Sequence, residues 1–244
     1  MMINRSLAAI ALAACLSASA AGQAAKGDAK AGPAPLLTAA DLDPQRVLPA
    51  PPAAGSAQAV AELAELHAME AGRTPAEIAD AKKDGATKNV TIFAEVLGPG
   101  FDLDRLPATR ALFDQVRASQ KSLVDRGKDE FRRQRPWIVD PSLQSCATND
   151  DPLSSYPSGH TSMAFAMAGV LARLVPDQAP AIMARAARYG QSRIVCEQHF
   201  RSDVTAGEAL GLLIADRLMT KPAFGKAFEA ARRELVKAGI GRAG

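Results

Sequence analysis

No long run of one charge occurs in these 244 residues: 29 basic against 26 acidic side chains give a formal net charge of +3, dispersed along the chain. A nucleic-acid partner therefore has no electrostatic footprint here. Beyond the first twenty residues, no apolar stretch reaches the about 18 residues that a membrane-crossing helix requires, so the mature chain is expected to have no integral membrane segment. Alternating Val/Ile-rich runs are missing as well, which leaves little from which to build strands. Histidine and carboxylate clusters at metal-ligand spacing are also absent; Asp150 and Asp151 read as a solvated loop, and neither metal nor cofactor is expected. What remains, with 48% hydrophobic and 23% charged residues, is the composition of one globular domain plus extensions.

Cysteine is scarce, with three in the chain, and the first of them lies in a segment of special composition. A short basic start ending at Arg5 precedes an apolar stretch from Leu7 to Leu16, and Ala18-Ser19-Ala20 supplies small residues for cleavage. Residues 1–20 read as a secretory signal peptide, which places the protein in the periplasm or outside the cell. A competing reading takes Leu12-Ala13-Ala14-Cys15 as a lipobox, with Cys15 as a lipidated anchor. Cleavage after Ala20 leaves Cys146 and Cys196, an even pair in an exported chain, for which a disulfide is the expectation and two buried free thiols the alternative.

Residues 21–56 are rich in Ala, Pro and Gly and read as an extended tether. From Ala57 the pattern turns helical, with Val60, Leu63, Ala64 and His67 on one face, where His67 reads as core or rim. Thr74-Pro75-Ala76-Glu77 combines an N-cap hydroxyl, Pro at the first helical position and Glu three residues on, a capping box with Gly85 as its stop. A short helix is favoured over a strand for residues 89–97. Pro107 opens a long helix running to Arg135-Pro136, residues 137–157 form a long loop, and helices follow over 161–174, 179–195, 200–219 and 223–237. The expectation is an all-α, single-domain bundle of roughly seven to nine helices, with residues 57–240 as the catalytic domain.

Three short blocks gather basic, small and imidazole residues: Lys128 with Arg135-Pro136, then Pro157-Ser158-Gly159-His160, then Arg193, His199 and Asp203. A phosphomonoester dianion needs cationic donors on its non-bridging oxygens, and Lys128, Arg135 and Arg193 provide them. Ser158 and Gly159 at a helix start add backbone N–H groups, with the Ser158 hydroxyl as a further donor. His199 and Asp203 are four apart, so on a helix they share a face; the carboxylate then orients one imidazole nitrogen and leaves the other as a nucleophile. His160 is placed to protonate the leaving alkoxide and later to activate water.

Taken together in order and spacing, these blocks resemble the signature of the superfamily that joins type-2 phosphatidic acid phosphatases, bacterial nonspecific acid phosphatases and vanadium haloperoxidases. The flanks Ser155-Tyr156-Pro157-Ser158-Gly159-His160-Thr161 look most like class A nonspecific acid phosphatases. Departures fall at Ser154, where that pattern has Gly, and at Phe200 and Arg201, where it has Trp and Gln; they bear on substrate preference. Arg201 is open between a substrate contact and a surface position. The resemblance implies a metal-independent phosphatase of small phosphomonoesters, acting through a phosphohistidine, and a homodimer. The alternatives are a lipid phosphate or diphosphate phosphatase, a vanadate-dependent peroxidase, and a non-catalytic oxyanion-binding protein.

Overall fold

The computed structural model describes residues 32–242, so the signal peptide, Cys15 and residues 21–31 lie outside the described residues. Among the described residues every regular element is helical. In chain order these are α1 (Pro44–Val47), α2 (Ala57–Gly72), α3 (Pro75–Ala86), a 3-10 turn over Val90–Phe93 running into α4 (Ala94–Leu97), and α5 (Pro107–Phe131). After α6 (Pro136–Val139) come α7 (Gly159–Leu174), a 3-10 turn over Pro176–Gln178, α8 (Ala179–Val195), α9 (Arg201–Met219) and α10 (Pro222–Lys237). The all-α expectation holds, including a helical residue 89–97 segment.

Helix α7 is the axis of the bundle. Every side chain from Thr161 to Leu171 is buried, as befits a helix surrounded by others. Its small residues, four alanines and Gly169 among them, let α5, α8 and α9 come close. The closest approach is that of α9: a Cβ on Gly207 would stand 2.7 Å from the Ser158 carbonyl oxygen, and one on Gly211 would stand 2.5 Å from that of Ser162. Only glycine fits at either position.

Local signals act where expected at the start of α3, where the Glu77 N–H donates to Thr74 Oγ1 at 3.2 Å and the Thr74 N–H to Glu77 Oε2 at 2.7 Å. The N-terminus of α5 has no side-chain cap of its own. Glu234 of α10 accepts instead from the N–H groups of Ala108 and Thr109, at 3.0 and 2.7 Å. A tertiary contact thus satisfies the orphan donors of a helix end.

The tether expectation fails over its described part. Leu37, Leu42 and Leu48 belong to the main core, with Leu37 fully buried. The Leu36 N–H donates to Ser119 Oγ on α5 at 3.0 Å, and the Tyr156 hydroxyl to the Pro49 carbonyl at 2.6 Å. Prolines preset an extended backbone and bring fewer N–H groups to satisfy, so a few leucines suffice to dock the segment.

Candidate active site

Four helix ends meet at the candidate site. Helix α5 stops at Phe131, four residues before the expected Arg135, because Arg132 takes the left-handed conformation (φ 44°). The residue before Pro136 is disfavoured as helix, and the chain runs extended there. The Arg135 N–H donates to the Pro152 carbonyl at 2.8 Å and the Ser155 N–H to that of Arg133 at 3.1 Å. On extended backbone, residues two apart share a face, so Arg133 and Arg135 both turn inward while Arg132 and Gln134 remain exposed.

Helix α8 delivers the second half. Glu197 is left-handed (φ 52°), the Glu197 N–H donates to the Ile194 carbonyl at 2.8 Å, and the Gln198 N–H to that of Arg193 at 2.9 Å. That is the paired bonding of a Schellman motif, with Glu where glycine is usual. The reversal turns His199 back toward Arg135. His199 precedes α9 rather than lying on it, which corrects the shared-face reading of His199 and Asp203. Asp203 sits in the first turn, and its Oδ2 accepts from the Phe200 N–H at 2.8 Å, one half of a capping box whose hydroxyl half Phe200 cannot supply. The Ser158 N–H donates to the Asp203 carbonyl at 2.9 Å, pinning the starts of α7 and α9 together.

Around this frame the predicted residues converge. His199 is buried; its Nε2 lies 3.1 Å from Arg135 Nη1, an N–H donor, and its Nδ1 lies 3.5 Å from Asp203 Oδ2. With Arg135 as the donor, Nε2 carries the lone pair and Nδ1 the proton; Nδ1 makes no hydrogen bond among the described residues, and Asp203 stands at ion-pair distance from it. Burial, followed by the charges of Arg135, Arg193 and Lys128, pushes the His199 imidazole well below the usual histidine range. Asp203 also accepts from Ser155 Oγ and Arg133 Nη1, each at 2.6 Å. Burial pushes its carboxyl up against those contacts.

His160 approaches from α7, its Nε2 3.1 Å from the Gly85 carbonyl, and burial and then Arg193 push it well below the ordinary histidine value. Arg193 is 4% exposed, and its guanidinium has no acceptor among the described residues; its Nε is orphaned. Its Nη1 lies 2.6 Å from where a Cβ on Gly85 would stand. Gly85, expected only as a helix stop, is the gap that admits this arginine. Lys128 Nζ lies 3.6 Å from where a Cβ on Gly159 would stand, and burial, with Arg135 next, lowers the amine to about 8. Ser158 Oγ accepts from Thr161 Oγ1 at 2.9 Å, keeping its own proton to donate.

Two adjoining cavities, about 140 and 160 Å³, share Lys88, Asp150 and His160 in their walls; Lys128, Arg135 and Gly159 line one, and Arg193 the other. Cys146 and Cys196 form a disulfide, and the Gln198 side-chain amide donates to the Ala147 carbonyl at 2.6 Å beside it. The bridge thus holds the loop before Ser158 to the turn that carries His199.

Several residues outside the expected set support the site. Arg133 joins Asp203 to the buried Glu62, whose Oε1 also accepts from the Ser202 N–H at 2.7 Å. Ser154 Oγ accepts from Arg135 Nη2 at 3.1 Å. Asp150 is not merely solvated: its Oδ2 lies 3.3 Å from Arg135 Nη2. His67 lies outside the core, exposed and bonded to Asp140 at 2.9 Å, and Arg201 pairs with Glu65. Glu197 is buried opposite Arg73, 3.4 Å away, and burial pushes its carboxyl up to about 7.

Fold and site together define an all-α protein with a buried cationic cluster built round two histidines. Residues 117–223 match the family model of the PAP2 superfamily. The non-specific acid phosphatase of Providencia stuartii is 31% identical over 207 residues, covering 80% of this chain and 82% of the relative. The acid phosphatase of Zymomonas mobilis subsp. mobilis is 35% identical over 150 residues, 60% of this chain; the match spans 56% of that relative. The transmembrane PAP2 type phosphatidylglycerolphosphate phosphatase from Bacillus subtilis shares the fold, with a TM-score of 0.51 at 20% identity over 67% of this chain and 85% of that one. The chain belongs to the PAP2 superfamily. Unlike that transmembrane neighbour, it has among its described residues no helix long and apolar enough to cross a membrane.

Proposed function

We propose that this protein is an acid phosphatase that hydrolyses small phosphate monoesters through a phosphohistidine on His199. Lys128, Arg135, Arg193 and the Ser158–Gly159 helix start bind the non-bridging oxygens. Arg135 shifts its donor from His199 Nε2 to a phosphate oxygen and frees the lone pair. Nε2 then attacks phosphorus in line, the N–P bond forms as the P–O bond to the leaving group breaks, and His160 gives its proton to the departing alkoxide. In the second step water attacks phosphorus, His160 takes its proton, and the N–P bond breaks. Asp203 holds the imidazole tautomer throughout. The cationic clamp offsets phosphate charge by itself, so the reading is metal-independent.

Arg193 carries this reading. A buried guanidinium without an acceptor is costly, and a bound oxyanion would supply the missing partner. The relatives' names, acid phosphatase and non-specific acid phosphatase, support the same reading. The disulfide supports an oxidising compartment, in keeping with a periplasmic or secreted protein.

The test is hydrolysis of p-nitrophenyl phosphate at mildly acidic pH in excess EDTA, with His199→Ala alongside. Turnover that survives EDTA and collapses in the variant is expected. Activity retained in His199→Ala removes the nucleophile assignment, activity lost with EDTA removes metal independence, and an inert, folded wild type removes the monoester reading.

A further inference from the structure

Helix α5 carries more positive charge toward the site than one phosphate uses. Arg117, Lys121, Val124 and Lys128 fall at i, i+4, i+7 and i+11, one face of the helix, and all four line the 140 Å³ cavity that ends at Arg135 and His160. Lys121 is paired with Asp125, and Arg135 with Asp150. Arg117 and Lys88, facing the same space, have no carboxylate within 4.0 Å among the described residues, and neither takes part in the phosphoryl clamp described above.

Arg117 is also held in place. Its Nη1 donates to Gln120 Oε1, and the buried Gln120 amide donates in turn to the Gly159 carbonyl at 3.1 Å and to Ser162 Oγ at 2.6 Å. The bond to Gln120, three residues on, ties Arg117 to a side chain that itself reaches the first turn of α7. The guanidinium is thereby fastened to the turn that carries Gly159 and His160, a preorganised donor rather than a solvated one.

We propose that Arg117 and Lys88 form a second anion subsite beside the reacting phosphate, and that the favoured substrates are small bisphosphates, one phosphomonoester being cleaved while the second phosphate is held by these two cations. This rests on the phosphatase reading and names its substrate class. The held phosphate undergoes no chemistry; it adds binding energy and orients the scissile group.

Steady-state kinetics with p-nitrophenyl phosphate, a hexose 6-phosphate and the matching hexose 1,6-bisphosphate test the idea on the wild type, Arg117→Gln and Lys88→Ala. The wild type is expected to favour the bisphosphate over the monophosphate by about tenfold in kcat/KM, the scale of one charge-assisted contact. Each variant is expected to lose that preference through KM while keeping p-nitrophenyl phosphate turnover within about twofold. Equal use of the hexose mono- and bisphosphate by the wild type overturns the proposal, as does an equal loss on all three substrates in the variants. Lys88 is exposed, so its variant remains informative if Arg117→Gln does not fold. If the wild type cleaves none of the three, the phosphatase reading fails, and calorimetry of bisphosphate binding to wild type and Lys88→Ala decides the subsite. A loss of affinity in the variant sustains it, and unchanged affinity overturns it.

Discussion

Asp203 Oδ2 stands 2.8 Å from the backbone N–H of Phe200 and 3.5 Å from Nδ1 of His199, so the carboxylate caps its own helix more tightly than it grips the imidazole. With Ser155 and Arg133 at 2.6 Å it has more partners than a simple orienting pair. Asp203→Asn keeps the shape but exchanges an acceptor for a donor facing Arg133, Ser155 or His199. The expected loss in kcat is about 10²–10⁴-fold, the upper end being the size of a lost tautomer-holding carboxylate. Steady-state kinetics alongside thermal melting check it, and Ser155→Ala is expected to fall between the wild type and Asp203→Asn.

The two histidines predict how the pH profiles differ. His160 must be protonated to donate, and in the free enzyme burial and Arg193 hold it well below the ordinary histidine value. Its proton is therefore lost as pH rises through an acidic range, which places the alkaline limb of kcat/KM below about pH 6.5. A bound phosphate dianion favours the imidazolium, so the corresponding limb of kcat is expected at higher pH. Profiles measured from pH 4 to 8 check this separation, and coincident limbs would count against His160 as the acid.

Lys128 gives a second pH signature. Lowered to about 8, its amine is charged below that pH and neutral above it. Above pH 8, where inorganic phosphate is already a dianion, its competitive inhibition is expected to weaken by up to about tenfold per unit, the slope of one ionisation. Lys128→Arg, which stays charged, is expected to flatten that limb.

Glu197 links pH to stability rather than to rate. Its carboxyl is raised from 4.5 to about 7 in the folded chain, chiefly by burial. Between those values the folded state holds a proton that the unfolded state has released, so stability falls as pH rises from about 4.5 to about 7. Melting temperatures across that window are expected to decline in the wild type and to do so less steeply in Glu197→Gln.

The docked N-terminal segment makes a claim about packing alone. Leu37→Ala removes a fully buried side chain from the main core, and a loss of about 2–5 kcal/mol is expected in urea unfolding. Because Leu37 lines neither cavity of the candidate site, kcat and KM below the melting range are expected to stay near wild-type values.

The helices were legible because their signals are local. Pro107 and the Thr74–Glu77 box mark starts that the backbone obeys, and period 3.6 needs only one chain segment to be seen. The blocks around Lys128, Ser158 and His199 were legible for another reason: phosphate chemistry demands particular residue types. Leu37, Leu42 and Leu48 were hidden because they follow neither helix nor strand periodicity, and the prolines between them dominate the composition. Arg133 was hidden because the pattern of α5 masks the extended stretch at its end, where alternate residues turn inward. Gly85 reads as a helix stop until Arg193, more than a hundred positions away, occupies the space a side chain would need.

Gly207 and Gly211 would touch no substrate, yet they act as the gauge blocks of this machine. The carbonyl that a methyl group on Gly207 would strike belongs to Ser158, and the same helix that carries Gly207 begins beside His199. Adding one carbon there would widen the gap between nucleophile and phosphate cradle while leaving every reacting group present. A variant at Gly207 is therefore expected to mimic the loss of a catalytic group it never contained.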